Sequence, residues 1–366
     1  MDIPKDKMSP LERVGAFLSG KPMDRVPAAP LMLNLPARVL GVPVKRTYES
    51  GEVLGKAHVA AYRKFGQDFI TILTCTANIS EAMGAKLRYP EDDAAMLDEP
   101  GLKTLDAVKD LAPADPTKDG RLPHYLEATE IAVREVGKEV FVITLPAGPF
   151  TVASQLRGVD DFFKETITDP ERTHQLLDVC TQSIINFIDA IVERCGVPCL
   201  AEPVGSGSLC SPKTFREYNL PYLKRIFDHI HSKSLPALIH ICGKAKPIFV
   251  PWVESGPDLC SIDWPTDMQW ASETYSDKVA LLGNVPSADA FLLGSPEVMY
   301  EESKKRLDVY RATTTKFMAE GKQPKGFILG SGCEVPLNSP HENVQAMVDA
   351  ARIYGQNWPP TNGHAN

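Results

Sequence analysis

The chain has 366 residues, 47 of them acidic and 39 basic, which gives a formal net charge of −8 at pH 7. Hydrophobic residues make up 43% and charged residues 23%, a composition that argues against disordered, collagen-like and coiled-coil chains. The acidic balance, without any run of Lys and Arg, argues against nucleic-acid binding. Residues 1–7 carry no hydrophobic signal region and no apolar run reaches about 18 residues, so we expect a soluble cytoplasmic protein that does not enter a membrane.

Short apolar runs alternate with longer segments of helical periodicity along the chain, after a first short helix at 10–19. The runs cover residues 26–33, 69–74, 140–145, 199–202, 237–241, 259–264, 279–282 and 327–330. Continuous apolar runs of this kind suit parallel strands that are covered by helices. The clearest helical segments are 170–194, 212–233 and 296–319. Asp169 before Pro170 and Ser211 before Pro212 are typical helix starts.

Eight strands that alternate with helices predict a single α/β domain, a (β/α)₈ TIM barrel with a short N-terminal helical extension. The predicted extension is 1–24, the barrel is 25–356, and 357–366 is a frayed tail. A doubly wound sheet is the alternative. It would require one misassigned run, and no Gly-rich dinucleotide motif follows the first strand.

The eight cysteines occur without an export signal, so a disulfide framework is not expected. Two of them suggest a metal site. His240 and Cys242 are two apart in the fifth predicted strand and therefore face the same side. Cys333 follows the eighth strand, which lies across the barrel mouth. Imidazole and thiolates form a zinc ligand set, and three protein ligands with one open position are typical of catalytic zinc. The alternative is a core histidine with packed thiols.

Two carboxylates follow other predicted strands. Glu202 ends the fourth strand and is a candidate oxygen ligand or proton-handling group; the alternative is a salt bridge at the rim or a helix cap. Asp263 is a candidate for hydrogen bonding to a polar ligand or for orienting the metal ligands; the alternative is a helix N-cap.

Several short motifs near strand ends indicate a family. They are Arg25-Val26-Pro27, Pro146-Ala147-Gly148-Pro149-Phe150-Thr151, Glu202-Pro203, Leu282-Gly283-Asn284-Val285, Gly332-Cys333-Glu334-Val335-Pro336 and Pro340-His341-Glu342-Asn343-Val344. With them the chain resembles the uroporphyrinogen decarboxylase superfamily from about Ser9 to Tyr354. Within it, the chain is most similar to the zinc-dependent corrinoid methyltransferases, typified by methylcobamide:coenzyme M methyltransferase, whose zinc ligands match His240, Cys242 and Cys333.

The resemblance implies methyl transfer between the cobalt of a corrinoid, carried by a partner corrinoid protein, and a small substrate. That substrate is a thiol acceptor such as coenzyme M or, in the reverse sense, a methoxylated compound. The resemblance also implies Zn²⁺ as cofactor, Glu202 and Asp263 as catalytic residues, and Asn284 and Gly148 as cofactor-binding residues.

Two other functions stay open at this stage. A metal-free decarboxylase of the same superfamily needs an arginine-rich segment after the first strand to hold the carboxylates of its substrate. Residues 32–38 carry only one arginine, Arg38, too few cations for a tetrapyrrole with many carboxylates. A non-catalytic binding barrel is the third possibility, because fold alone does not define function.

Overall fold

The computed structural model describes residues 2–358, which contain twelve strands and fifteen α-helices. The strands are β1 Met23–Arg25, β2 Ala28–Ala29, β3 Phe69–Ile72, β4 Lys86–Arg88, β5 Met96–Glu99, β6 Phe141–Thr144, β7 Val197–Ala201, β8 Leu238–Ile241, β9 Leu259–Ile262, β10 Ala280–Val285, β11 Phe327–Ser331 and β12 Gln356–Trp358. The helices are α1 Pro10–Leu18, α2 Leu35–Leu40, α3 Val44–Glu49, α4 Gly51–Phe65, α5 Asn78–Ala82, α6 Leu122–Val136, α7 Pro149–Arg157, α8 Val159–Thr168, α9 Pro170–Glu193, α10 Pro212–Tyr218, α11 Leu220–Ser232, α12 Phe249–Glu254, α13 Met268–Tyr275, α14 Pro296–Ala319 and α15 His341–Tyr354.

Eight strands form one parallel sheet in the order β2-β11-β10-β9-β8-β7-β6-β3. The two ends of this sheet approach each other, and the amide of Asp68 donates a hydrogen bond to the carbonyl oxygen of Ala28 at 2.8 Å. Each of the eight predicted apolar runs overlaps one of these strands, and five of the runs contain their strand completely. The predicted (β/α)₈ barrel is therefore confirmed, and the doubly wound alternative is excluded because the sheet curls back on itself.

The side chain of Asp68 reinforces the seam between β2 and β3. Its fully buried carboxylate accepts hydrogen bonds from the Ala28 amide at 2.6 Å, from Arg13 at 2.5 Å and from Arg25 at 2.7 Å. Arg13 belongs to α1, so the predicted N-terminal helix is tied directly to the barrel. A buried carboxylate is tolerated here because charged and neutral donors surround it.

The predicted helix starts are confirmed. Asp169 caps α9 by accepting from the Arg172 amide at 3.2 Å, and Ser211 caps α10 by accepting from the Thr214 amide at 3.1 Å. The predicted helix 212–233 is wrong in one respect, because it is broken into α10 and α11 at Asn219. Pro221 explains the break, since proline has no N–H and its ring crowds the carbonyl four residues earlier.

A strand near the start of the chain pairs with the last strand of the described residues. Strands β1 and β12 are antiparallel, with Met23 opposite Trp358 and Arg25 opposite Gln356. This pairing crosses both predicted domain boundaries, because part of β1 falls in the predicted extension and most of β12 falls in the predicted tail. Trp358 is 1% exposed and packs near Tyr310. The rest of the predicted tail, 359–366, lies outside the described residues.

Helix α9 is the one helix of the described residues that is long and apolar enough to cross a membrane, with 24 residues and a mean hydropathy of 1.2 over its apolar window. That window is 61% buried within the protein, as in the core helix of a soluble domain. The helix packs against α7 and α11 on the outside of the barrel. Its hydrophobicity is therefore explained by packing in the fold.

Candidate metal centre

Three predicted ligands converge at the carboxyl end of the barrel. His240 is in β8, Cys242 follows that strand directly, and Cys333 lies two residues beyond β11. His240 Nε2 is 3.0 Å from Cys242 Sγ, and the sulfur of Cys242 is 3.4 Å from that of Cys333. One ligand atom from each residue lies within 4.8 Å of the other two. Barrel enzymes place their functional residues at this end of the strands.

The donor set fits a zinc ion. Two thiolates at about 2.3 Å from one tetrahedral zinc lie about 3.8 Å apart, close to the observed separation of the two sulfurs. His240 is 5% exposed, whereas both cysteines are half-buried and reach the barrel mouth. Three protein ligands of soft character with access from one side describe a site with an open fourth position.

The two thiols influence each other strongly. The hydrogen bond from Cys242 lowers the pKa of Cys333 to about 4, with a further contribution from His240. The same bond raises the pKa of Cys242 above its ordinary value. The shared hydrogen bond therefore favours a thiolate at Cys333, and a bound cation would displace the thiol proton of Cys242.

Ser261 orients His240 and has no role in the sequence interpretation. Its hydroxyl lies 2.9 Å from His240 Nδ1, so the serine can fix the ring and direct Nε2 toward the thiols. The two residues are directly opposite in the register of β8 and β9. Strand alternation could have identified Ser261 as a partner of His240. Ser261 is two residues before Asp263, a residue predicted to lie at the site, and residues two apart in a strand face the same side.

Asp263 supports the loops around the cluster. One carboxylate oxygen accepts from the Gly243 amide at 2.7 Å and the other from the Trp264 amide at 2.7 Å. Burial raises its pKa. A Cβ atom on Gly332 would come within 2.8 Å of this carboxylate, so the backbone that leads to Cys333 packs directly against it. Asp263 thus braces the loops that carry Cys242 and Cys333, and its carboxylate is outside the cluster of ligand atoms.

Glu202 caps a helix. Its fully buried carboxylate accepts from the Phe150 amide at 3.1 Å and the Thr151 amide at 2.8 Å, and also from the Thr151 hydroxyl. These amides belong to the first turn of α7, where a carboxylate is favourable. Burial raises its pKa to about 7 despite these donors. Glu202 thus makes the contacts of a helix cap and lies outside the group of three ligand atoms. Its proton-handling role stays a prediction.

The two predicted cofactor-binding residues make internal contacts. Gly148 is the residue before α7, where a Cβ atom would come within 2.2 Å of Glu202 Oε2, so close approach requires glycine. The buried amide of Asn284 donates to the carbonyl oxygens of Asp263 at 3.2 Å and Thr266 at 2.7 Å. Asn284 therefore stabilises the loop after β9. Neither Gly148 nor Asn284 presents a free polar group to the barrel mouth.

Glu334 is a further carboxylate beside the cluster that has no assigned role in the sequence interpretation. It accepts from the side-chain amide of Asn34 at 3.0 Å, and burial raises its pKa to about 7. The Asn34 amide also donates to the carbonyl oxygen of Thr74 at 3.1 Å. Glu334 thereby links the loop of Cys333 to the loops after β2 and β3.

Comparisons with known proteins cover nearly all of the chain. The sequence model of the uroporphyrinogen decarboxylase (URO-D) family matches residues 9–354. The methylcobamide:CoM methyltransferase MtaA of Methanosarcina barkeri is 29% identical over 354 residues, which cover 93% of the chain and 97% of that relative. A uroporphyrinogen decarboxylase of Carboxydothermus hydrogenoformans is 26% identical over 293 residues, 78% of the chain and 79% of that protein. The solved structure of a methyltransferase from Methanosarcina mazei superposes with a TM-score of 0.83 at 26% identity and covers 94% of this chain and 98% of its own.

Proposed function

Because the chain belongs to the uroporphyrinogen decarboxylase family, we propose that it is a corrinoid-dependent methyltransferase that holds Zn²⁺ between His240, Cys242 and Cys333. The convergence of these three ligand atoms within 4.8 Å carries the proposal. The similarity to MtaA of Methanosarcina barkeri over most of both chains supports it. The methyl acceptor is a thiol, and the methyl donor is a methylcorrinoid that a partner corrinoid protein brings to the barrel mouth.

Zinc in such a site supplies Lewis acidity that lowers the pKa of an incoming thiol, so that the thiol reacts as a thiolate. The protein's own residues prepare that site. Ser261 fixes the ring of His240, and Asp263 holds the two loops that carry the cysteines. The apolar barrel interior keeps water away from one side of the cluster. In the reaction the carbon–cobalt bond breaks, its electron pair remains on cobalt, and a carbon–sulfur bond forms.

The metal-free decarboxylase is disfavoured by the first barrel loop. Residues 32–38 contribute only Arg38, which donates to the carbonyl oxygen of Leu337 at 2.9 Å. A substrate with many carboxylates requires several free cations near the mouth. The cysteine pair, in turn, has no role in a decarboxylation that uses no metal.

Demethylation of methylcobalamin tests the proposal. The zinc-loaded protein is mixed with methylcobalamin and a panel of thiols, pterins and methoxyarenes, and cobalt spectra report loss of the methyl group. We expect thiol-dependent demethylation that is lost in Cys333→Ala and retained in Cys260→Ala, a buried cysteine outside the cluster. Uroporphyrinogen turnover without metal, and no demethylation with any thiol, would contradict the proposal.

A further inference from the structure

An apolar cavity of about 190 Å³ lies at the amino end of the barrel, opposite the metal centre. Its walls include residues at the starts of strands, among them Phe69, Phe141 and Val197. Val14 and Phe17 of α1 cover it. Protein interiors are packed as densely as organic crystals and contain few voids larger than a water molecule. A void of this size is therefore a specific feature of the chain.

The cavity is accessible from solvent. Leu18 at the end of α1 lines it and is 46% exposed, and Ser234 in the loop before β8 lines it and is also exposed. The next two residues, Leu235 and Pro236, are half-buried parts of the same wall. A small molecule can therefore enter between the end of α1 and this loop.

The lining selects an uncharged aromatic ligand. Ser234 is the one polar residue of the lining and no lining residue carries a charge, so an ionised group inside would lose its hydration without gaining a partner. Phe17, Phe69 and Phe141 all line the cavity. Within residues 2–358 none of these three rings is paired with another aromatic ring. Phenyl rings favour offset or edge-to-face contacts with other rings, and a bound ring would supply them.

The size of the cavity and its one polar group narrow the ligand class. An apolar cavity of about 150 Å³ admits benzene, so the space of about 190 Å³ holds one six-membered ring with a small substituent. The hydroxyl of Ser234 has no hydrogen-bond partner among the described residues. A hydroxyl group on the ring can pair with it at the opening.

We propose that this cavity is a binding site for a neutral single-ring phenol, with the ring among the three phenylalanines and the hydroxyl group at Ser234. This site is separate from the proposed function. Leu238, Leu259 and Ile328 line this cavity and also the space beside His240, so a layer of side chains lies between the phenol and the metal ligands. Binding of the phenol should therefore be independent of zinc.

Calorimetric titration and thermal denaturation with phenol, toluene and cyclohexanol test the proposal. We expect phenol to bind with a dissociation constant below about 1 mM, since each buried carbon contributes about fourfold. Phenol should also raise the melting temperature, because it binds the folded chain alone. Cyclohexanol carries the hydroxyl group without the aromatic ring and should bind about threefold or more weakly. Cys333→Ala should bind phenol as the wild-type protein does, which distinguishes this cavity from the metal centre.

Two variants test the assignment to these residues. Val197→Phe places a ring in the cavity and should weaken binding of phenol and toluene at least about tenfold. Val250→Phe adds the same ring at a position of α12 that is 47% exposed, and this matched control should bind both ligands as the wild-type protein does. Ser234→Ala removes one exposed hydroxyl, so it should weaken phenol binding about threefold to tenfold and leave toluene binding unchanged.

Wild-type affinity for phenol in Val197→Phe, or a melting temperature that neither phenol nor toluene raises, overturns the proposal. Loss of phenol binding in Cys333→Ala would assign the phenol to the metal centre and overturns it as well. If Val197→Phe does not fold, Ser234→Ala decides: unchanged phenol affinity in that variant contradicts the site. All of these measurements are independent of methyl transfer, so their failure leaves the proposed function in place.

Discussion

Cys242 and Cys333 are 91 positions apart in sequence, yet their sulfur atoms lie 3.4 Å from each other. Strand β8 delivers the first and β11 the second, and two intervening strands set the distance between their ends. The barrel therefore assembles the site, because no local segment contains more than two of the three ligands. Changes that disturb the strand ends should appear first as changes in metal affinity.

Zinc content provides the first prediction. Purified wild-type protein should contain about one zinc per chain, and His240→Ala should lower zinc affinity at least ~100-fold because a direct ligand matters more than the residues that orient it. Elemental analysis and competition with a chromophoric chelator measure this. Cys260→Ala, a strand cysteine away from the cluster, is the control and should retain its zinc. A folded His240→Ala protein with full zinc occupancy would show that the histidine is not a ligand.

Ser261→Ala should weaken zinc binding about 10–100-fold, because loss of an orienting hydrogen bond to a ligating histidine has effects of this size. The protein should stay folded, since only one hydroxyl is removed. Ser272→Ala is a matched control, because its hydroxyl is buried without a hydrogen-bond partner. Equal zinc affinity in both variants would mean that the contact between Ser261 and His240 has no influence on the metal.

Asp68→Ala should destabilise the fold by about 3 kcal/mol, because Arg13 and Arg25 both lose a buried carboxylate partner and keep only Asp24 and Asp6. Chemical denaturation gives the free energy of unfolding. Asp308→Ala removes an exposed pair with Lys304 within one helix and should change stability by less than about 0.5 kcal/mol. If the free energy of unfolding falls by the same amount in both variants, Asp68 does not stabilise the seam between β2 and β3.

The buried carboxyl of Glu202 makes stability depend on pH. Its pKa is about 7 in the folded protein against an ordinary value of 4.5, so between these pH values the folded chain keeps a proton that the unfolded chain has released. The free energy of unfolding therefore falls as pH rises through this window, by at most ~3 kcal/mol from this group. Glu334 acts in the same direction.

Denaturation at several pH values checks this prediction. In Glu202→Gln, the free energy of unfolding should fall less between pH about 4.5 and 7 than in the wild-type protein. The remaining decrease is the part that Glu334 causes. Glu217→Gln, on an exposed position of α10, should keep the full decline. If the free energy of unfolding of Glu202→Gln depends on pH as steeply as that of the wild-type protein, Glu202 does not titrate between these pH values.

The parts of the structure that depend on local pattern could be predicted from the sequence. The eight apolar runs and the helix caps at Asp169 and Ser211 are of this kind, as is the position of His240 and Cys242 on one side of a strand. The hairpin of β4 and β5 could not be predicted, because Met96–Glu99 is exposed along its whole length and leaves no apolar signal. The helix whose amides contact Glu202 could not be predicted either, since that helix begins about 50 positions earlier in the chain.

The pairing of β2 with β11 has a consequence for synthesis of the protein on the ribosome. Ala28 and Leu329 are partners across the sheet, and the Leu31 amide donates to the Ser331 hydroxyl 300 positions later. The first barrel strand and its neighbour β3 are thus made early, whereas its other partner, β11, emerges only when nearly the whole chain has been made. Until then the apolar lumen lacks its last strand, and the nascent chain exposes surface that a chaperone can bind.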